Sequence, residues 1–221
     1  KKNNGVFIND SIVNLVKEER LHKYKRKSID VITGGFPCQD FSVSGKRKGF
    51  KSHKSHLNEK IGEDDYDTPT EESRGMLYYW MQRVIDIVQP KVFIAENVKG
   101  LKSMSNVVST IKQDFENTKD GGYFVVEPRV VNAANYGIPQ NRERIFFIGF
   151  KKKYMRKKVL KILESGYLPD EYDPFPIITH TFSHNMDLFK NSNDLKNVVT
   201  TKEAFINLNE PNVEKLDLSQ M

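Results

Sequence analysis

The 221 residues carry a formal charge of +6, with 38% hydrophobic and 11% aromatic side chains and one cysteine. That is enough apolar material for the core of one large domain, which argues against general disorder, and a lone cysteine excludes an internal disulfide framework. No apolar run approaches the roughly 18–20 residues of a membrane helix, and no secretory signal opens the chain, so a cytoplasmic protein without membrane contact is expected.

The first strand signal is the short β-branched run 29–32, ended by Thr33-Gly34-Gly35. Residues 76–88 place Leu77, Trp80, Met81, Val84, Ile87 and Val88 at helical spacing. Residues 91–95 follow Pro90 as a second strand and stop at the polar pair Glu96-Asn97. A helix over 104–118 carries Val107, Val108, Ile111 and Phe115 on one side. Residues 123–131 are strand-like, with Pro128 marking an edge or bulge. Residues 144–150 (RIFFIGF) are the strongest strand, and 152–164 reads as a basic helix ending before Gly166. Runs 29–32, 91–95 and 144–150 are expected to be buried on both faces, as in α/β sheets. Beyond residue 166 the chain is loose, with one helix start: Thr200 and Glu203 form a capping box.

Charge is unevenly spread. Residues 151–161 hold seven cations and no anion, and residues 45–54 hold five cations and no anion. Residues 62–72 are acidic, which argues against phosphate contact there. A basic balance (pI ≈ 9.2) allows a polyanionic partner without requiring one. For the run 151–161, phosphate contact and a solvated helix face stay equally open. His53 with His56, and His180 with His184, are too few for a metal site, and none is expected.

Three motifs stand at strand ends, where open α/β sheets bind ligands. Gly34-Gly35-Phe36-Pro37-Cys38-Gln39-Asp40-Phe41-Ser42 follows the first strand. Pro37 fixes its own φ and pushes Phe36 toward extended geometry, so Cys38 sits on a stiffened turn. Taken alone, it could equally be a small buried thiol. Glu96-Asn97-Val98 ends the second strand; a half-shielded carboxyl there could hold a proton near neutrality, or be a surface acid. Gln140-Asn141-Arg142-Glu143-Arg144 opens the strand 144–150. Two arginines at this spacing project to the same side and suit planar carbonyls and carboxylates, unless the turn is merely solvated.

In this order the three motifs resemble the cytosine-C5 DNA methyltransferases. Residues 41–50 look like that family's mobile catalytic loop, Arg74-Gly75-Met76-Leu77 like its next motif, and residues 132–140 like the lead into its arginine motif. Residues 176–180 and 199–208 look like the segment entering its target-recognition region. The resemblance implies a Rossmann-like α/β sheet with helices on both faces, incomplete here. It makes residues 1–165 a partial catalytic core and 166–221 a connection toward the recognition region. It implies the methyl donor S-adenosylmethionine and double-stranded DNA with a flipped-out cytosine. It makes Cys38 the nucleophile at C6, Glu96 the partner of N3 and the exocyclic amine, Arg142 a ligand of O2, and Arg144 a clamp on the Cys38 loop or on Glu96. It places Phe36, Gln39, Ser42, Ser44 and Val98 around the base, and Asp10, Pro37 and Leu77 on the cofactor.

Two departures stand out. The family's opening Asp-x-Phe-x-Gly-x-Gly turn and its closing Gly-Asn-x-Val segment, both on the cofactor pocket, have no counterpart here, and a recognition domain is also missing. The chain starts at Lys1 and not at methionine. It is therefore expected to be the central part of a methyltransferase of a bacterial restriction–modification system, truncated or completed by a second chain, and inactive alone. An RNA-directed relative is disfavoured because no Cys-Phe-Thr string follows Glu96-Asn97-Val98. A non-catalytic module is disfavoured by the intact Cys38, Glu96, Arg142 and Arg144, and a cysteine hydrolase by the lack of a histidine signature near Cys38.

Overall fold

Five short runs rich in β-branched and aromatic side chains pair into one sheet. The structure is a computed structural model that describes residues 7–25, 29–36, 77–103, 105–182, 195–206 and 208. The chain divides into two compact units: Lys1–Val131 with Glu143–Phe175, and Asn132–Arg142 with Pro176–Met221.

In the first unit the elements run α1 (Ile12–Lys17), α2 (His22–Lys25), β1 (Val31–Gly35), α3 (Leu77–Val88), β2 (Val92–Val98), α4 (Ser105–Glu116), β3 (Tyr123–Val125), β4 (Arg129–Asn132, ending at the unit boundary), β5 (Glu143–Lys151) and α5 (Lys157–Glu164). The sheet order is β1-β2-β5-β3, with β4 also pairing β5. β1 and β2 are parallel, in register from Val31↔Val92 to Gly35↔Glu96. β5 enters antiparallel, from Val92↔Phe150 to Val98↔Arg144. The start of β5 therefore stands beside the carboxyl ends of β1 and β2.

Alternation along β2 sends Phe93, Ala95 and Asn97 to one face. There Phe93 and Ala95 join Ile145 and Phe147 of β5, Tyr78, Met81 and Ile85 of α3, and Ile111 and Phe115 of α4 in the main core. Both central helices thus cover the same face of the sheet. Their contact is pinned by Tyr78, whose hydroxyl donates to Asp114 Oδ2 at 2.5 Å. Burial, then this bond, hold the Tyr78 hydroxyl well above the ordinary tyrosine range. The flank of α3 facing away from that core, with Trp80, Ile87 and Val88, packs on Val13, Leu15, Val16 and Leu21 of α1 and the turn after it.

Three expectations change. β1 is not buried on both faces: it ends the strand order, and its residues alternate between exposed and half-buried. The run 123–131 is two strands, broken before Arg129. The helix read over 152–164 is a 3-10 turn, Lys152–Tyr154, and then α5. Lys152 N–H is drawn aside to the Gly122 carbonyl, 3.3 Å away.

In the second unit a 3-10 turn, Ala133–Tyr136, is capped by Asn132, whose Oδ1 accepts from Ala134 N–H at 3.1 Å. It closes at Gly137, φ +79°, where an added Cβ would lie 2.7 Å from His180 Cε1. A side chain there would be strained and would collide with the imidazole. β6 (His180–Thr181) pairs parallel with β7 (Lys196–Asn197), and the capping box of Thr200 and Glu203 opens α6 (Thr201–Phe205) as expected. Among the described residues no helix is long and apolar enough to cross a membrane, and no group of three or more His, Cys, Asp or Glu could hold a metal.

Candidate active site

The acid comes first. Glu96 sits one step before Asn97 on β2, so its side chain leaves the main core and points to the opposite face. Arg144 lies diagonally across on β5, on the same face, within reach of a long side chain. The two meet: Arg144 Nε is 2.7 Å from Glu96 Oε1, with the side chains 23% and 34% exposed. The guanidinium also donates through Nη1 to the Glu143 carbonyl at 2.8 Å. This short, half-shielded ion pair fixes one carboxylate oxygen at the rim of the sheet.

The second oxygen is governed by a missing side chain. Gly35 is the register partner of Glu96, and a Cβ built on it would lie 3.1 Å from Glu96 Oε2. The glycine thus opens the space that the carboxylate fills. One residue earlier, a Cβ on Gly34 would stand 3.1 Å from Met81 Sδ, so the other glycine admits α3.

Phe36 then carries the chain into the cysteine motif. Its ring is buried against Tyr78 and Phe147, with centroids 6.3 Å from each. Its carbonyl accepts from Asn97 Nδ2 at 3.3 Å, while Asn97 Oδ1 accepts from Val98 N–H at 2.8 Å. Asn97 is 1% exposed. One buried amide thus ties the end of β2 to the first residue of the turn. The sequence reading assigned Asn97 nothing. Its signal was present: a polar residue at a core-facing position of an alternating strand demands partners.

The remaining candidates divide. Pro37, Cys38, Gln39, Ser42 and Ser44 lie outside the described residues. Leu77 opens α3, and its side chain is likewise outside them. Val98 ends β2, half-buried and paired with Arg144. Arg142 is exposed and belongs to the second unit, whereas Arg144 belongs to the first. Between them Glu143 holds Lys99, with Nζ 2.7 Å from Oε2. Asp10 is already engaged: Oδ1 accepts from Ser11 N–H at 2.7 Å and from Asn14 Nδ2 at 3.0 Å, and Oδ2 pairs with Arg20.

Beside β1 is a cavity of about 230 Å³, walled by Ile12, Ile32, Gly34, Phe36, Trp80 and Met81 among others. Its walls are mainly apolar. Ligand sites for small molecules run to roughly 300–1,000 Å³, so this is part of a site at most.

The model of the family described as C-5 cytosine-specific DNA methylase matches residues 1–61 and 66–220. Type II methyltransferase M.HpaII of Haemophilus parainfluenzae is 39% identical over 132 residues, 57% of this chain and 30% of that protein. Type II methyltransferase M.NgoFVII of Neisseria gonorrhoeae is 34% identical over 194 residues, 86% of this chain and 40% of that protein. The chain spans well under half the length of either relative. A crystal structure of a prophage-encoded E. coli protein, assigned as a DNA modification methyltransferase, matches with a TM-score of 0.50 at 26% identity, over 92% of this chain and 42% of that one. The sheet is therefore the Rossmann-like sheet of a methyltransferase. With the family match running across nearly the whole chain, the protein belongs to the C-5 cytosine-specific DNA methylases.

Proposed function

We propose that the chain is the central catalytic part of a DNA (cytosine-5-)-methyltransferase of a bacterial restriction–modification system, acting in the cytoplasm on double-stranded DNA. The observation that carries this reading is the Glu96–Arg144 pair, 2.7 Å apart, set against Gly35 at the strand end that leads into Cys38. Cys38 follows Gly35 by three residues, which span at most about 11 Å. The thiol is therefore tethered to the same strand end that holds the carboxyl.

The chemistry asks for these groups. Cytosine C5 is a poor nucleophile. Addition of the Cys38 thiolate to C6 forms an S–C6 bond and makes C5 enamine-like. An unperturbed thiol is only about 3% ionised at pH 7, so the turn must favour the thiolate. As the thiolate adds, negative charge moves onto the ring at N3, and Glu96, oriented by Arg144, is proposed to face N3 and the exocyclic amine and to deliver the proton that neutralises this charge. Arg142 is proposed to bind O2, with Phe36, Gln39, Ser42, Ser44 and Val98 around the extruded base. S-adenosylmethionine, when bound, supplies the electrophilic methyl group. Loss of the C5 proton to a base such as water finally re-forms the C5=C6 double bond, and the S–C6 electron pair leaves with sulfur as the freed thiolate.

The described residues fit only part of that cofactor. The cavity beside β1 is small, and the Asp10 carboxylate is occupied by Arg20 and Asn14. We propose that the rest of the pocket and the target-recognition region lie in sequence flanking this one or in a second chain. Residues 1–165 would be the partial core and 166–221 the connection. The 221-residue chain should then show no tight binding of S-adenosylmethionine by calorimetry, and tight binding would refute the incomplete pocket. In the completed enzyme, duplex DNA carrying 5-fluorocytosine should trap a covalent adduct, and Cys38→Ser should abolish it. An adduct that survives in that variant places the nucleophile elsewhere.

A further inference from the structure

We infer that the rim of the sheet opposite the Glu96–Arg144 pair is a second contact surface for duplex DNA, built on α5 and the turn before it. β5 connects the two rims: Arg144 lies near its start and Lys151 at its end. At about 3.4 Å per residue they stand roughly 24 Å apart. Lys151 N–H bonds the Lys91 carbonyl at 2.8 Å, which places this end of β5 at the amino ends of β1 and β2.

The chain then stays at that rim. The turn Lys152–Tyr154 leads to α5, and Lys152 Nζ is 3.5 Å from Glu164 Oε1 at the far end of the helix. α5 is two-faced. Val159, Leu160, Ile162 and Leu163 are half-buried or buried, while Lys157, Lys158 and Lys161 are exposed on the other side. Lys153 and Arg156 are exposed just before it. Tyr154 is 56% exposed, and its ring has Lys153 and Lys91 Nζ at 5.8 and 5.9 Å from its centroid. Of the neighbouring acids, Asp30 pairs with Lys91 at 2.6 Å and Glu164 with Lys152, Glu171 accepts from the Tyr172 hydroxyl, and Asp170 is exposed.

A cluster of unneutralised cations in open solvent repels itself and gains most from a dense polyanion. Duplex DNA offers one charge per roughly 1.7 Å. Side chains of this kind read phosphates and no base sequence. The surface begins roughly 24 Å along β5 from Arg144, too far for the phosphates beside an extruded cytosine. It therefore raises sequence-independent affinity for duplex, with no part in the chemical step. The duplex as partner is taken from the proposed function; the placement of the contact is new.

The experiment uses the whole 221-residue chain and random-sequence duplexes of about 12 and about 40 base pairs. K153Q/K157Q/K158Q/K161Q should make the slope of log affinity against log salt shallower by about 2–3 on the long duplex. Affinity for that duplex should fall at least about ten-fold, and the short duplex should be affected less. The four corresponding Lys→Arg changes should restore the parental slope, which separates lost charge from lost fold. K17Q/K23Q on α1 and α2, charge-matched to the pair K157Q/K158Q, should leave the slope nearly unchanged. An unchanged slope in the first variant, or as large a loss in the charge-matched control as in K157Q/K158Q, overturns the inference. Failure of the 5-fluorocytosine adduct in the completed enzyme, with the slope effect intact, would overturn the catalytic reading and leave this surface standing.

Discussion

The two ends of β5 hold two cations that do opposite work. At one end Arg144 is half-open and clamps a carboxylate at 2.7 Å. At the other Lys151 is 2% exposed, donates to Gln89 Oε1 and to the Lys119 carbonyl at 2.7 Å, and lies 4.8 Å from the centroid of the Tyr123 ring. Burial pushes its ammonium below the ordinary lysine range, against the pull of Asp120 and Asp86. Lys151 ties together two carbonyl groups from the ends of separate elements, the Gln89 side chain and the Lys119 backbone. Arg144 orients an acid that remains reachable. Two cations on one strand thus differ by how much water reaches each: one is a buried donor, the other holds a carboxylate at an open rim.

The largest expected effect lies at the open rim. Glu96→Gln in the completed enzyme should slow the chemical step by about 10²–10³ in single-turnover assays, with duplex binding nearly unchanged. At the closed rim, Lys151→Ala should cost about 2–3 kcal/mol in urea unfolding, because the Gln89 and Lys119 oxygens lose their donor. Arg144→Ala sharpens the contrast. A pair this open should contribute no more than about 1 kcal/mol to stability while the rate falls much further. Equal losses of stability at Arg144 and Lys151 would break the comparison.

The smallest effect is one of pH. The folded pKa of Lys151 is depressed, so between that value and the unfolded value of about 10.4 the unfolded chain binds more protons. Stability from this group is therefore fully present above the unfolded value and declines as pH falls through the folded one. Lys151→Met should lack that rise, seen by comparing urea midpoints at about pH 8 and about pH 10.

Most of the frame could be read from residues alone. β-branched runs marked β1, β2 and β5, and helical spacing marked α3 and α4 to within a residue or two. The acid and the second arginine of the motif meet, and Glu96 is one of the two partners that the resemblance implied for Arg144. What escaped was set by partners distant in sequence. β2 was expected to stop at Glu96 but runs to Val98, because Arg144 and Ile145 supply its ladder and Phe36 satisfies the buried Asn97 amide. The capture of Asp10 by Arg20, and of Arg129 by Asp173 at 2.5 Å, depends on loop geometry that no periodicity encodes. Asn97→Ala should test the first of these, slowing adduct formation while thermal stability falls by about 1–3 kcal/mol.

The bare α-carbon of Gly35 ties two distant stretches of the gene together. Any side chain there presses on Glu96 Oε2, from a position 61 residues upstream. Random mutagenesis of the cysteine motif should therefore yield a class of alleles whose kinetics imitate damage to the acid, with the thiol still open to alkylation. Those alleles should be rescued by shortening residue 96 to Asp, which withdraws the carboxylate by one methylene.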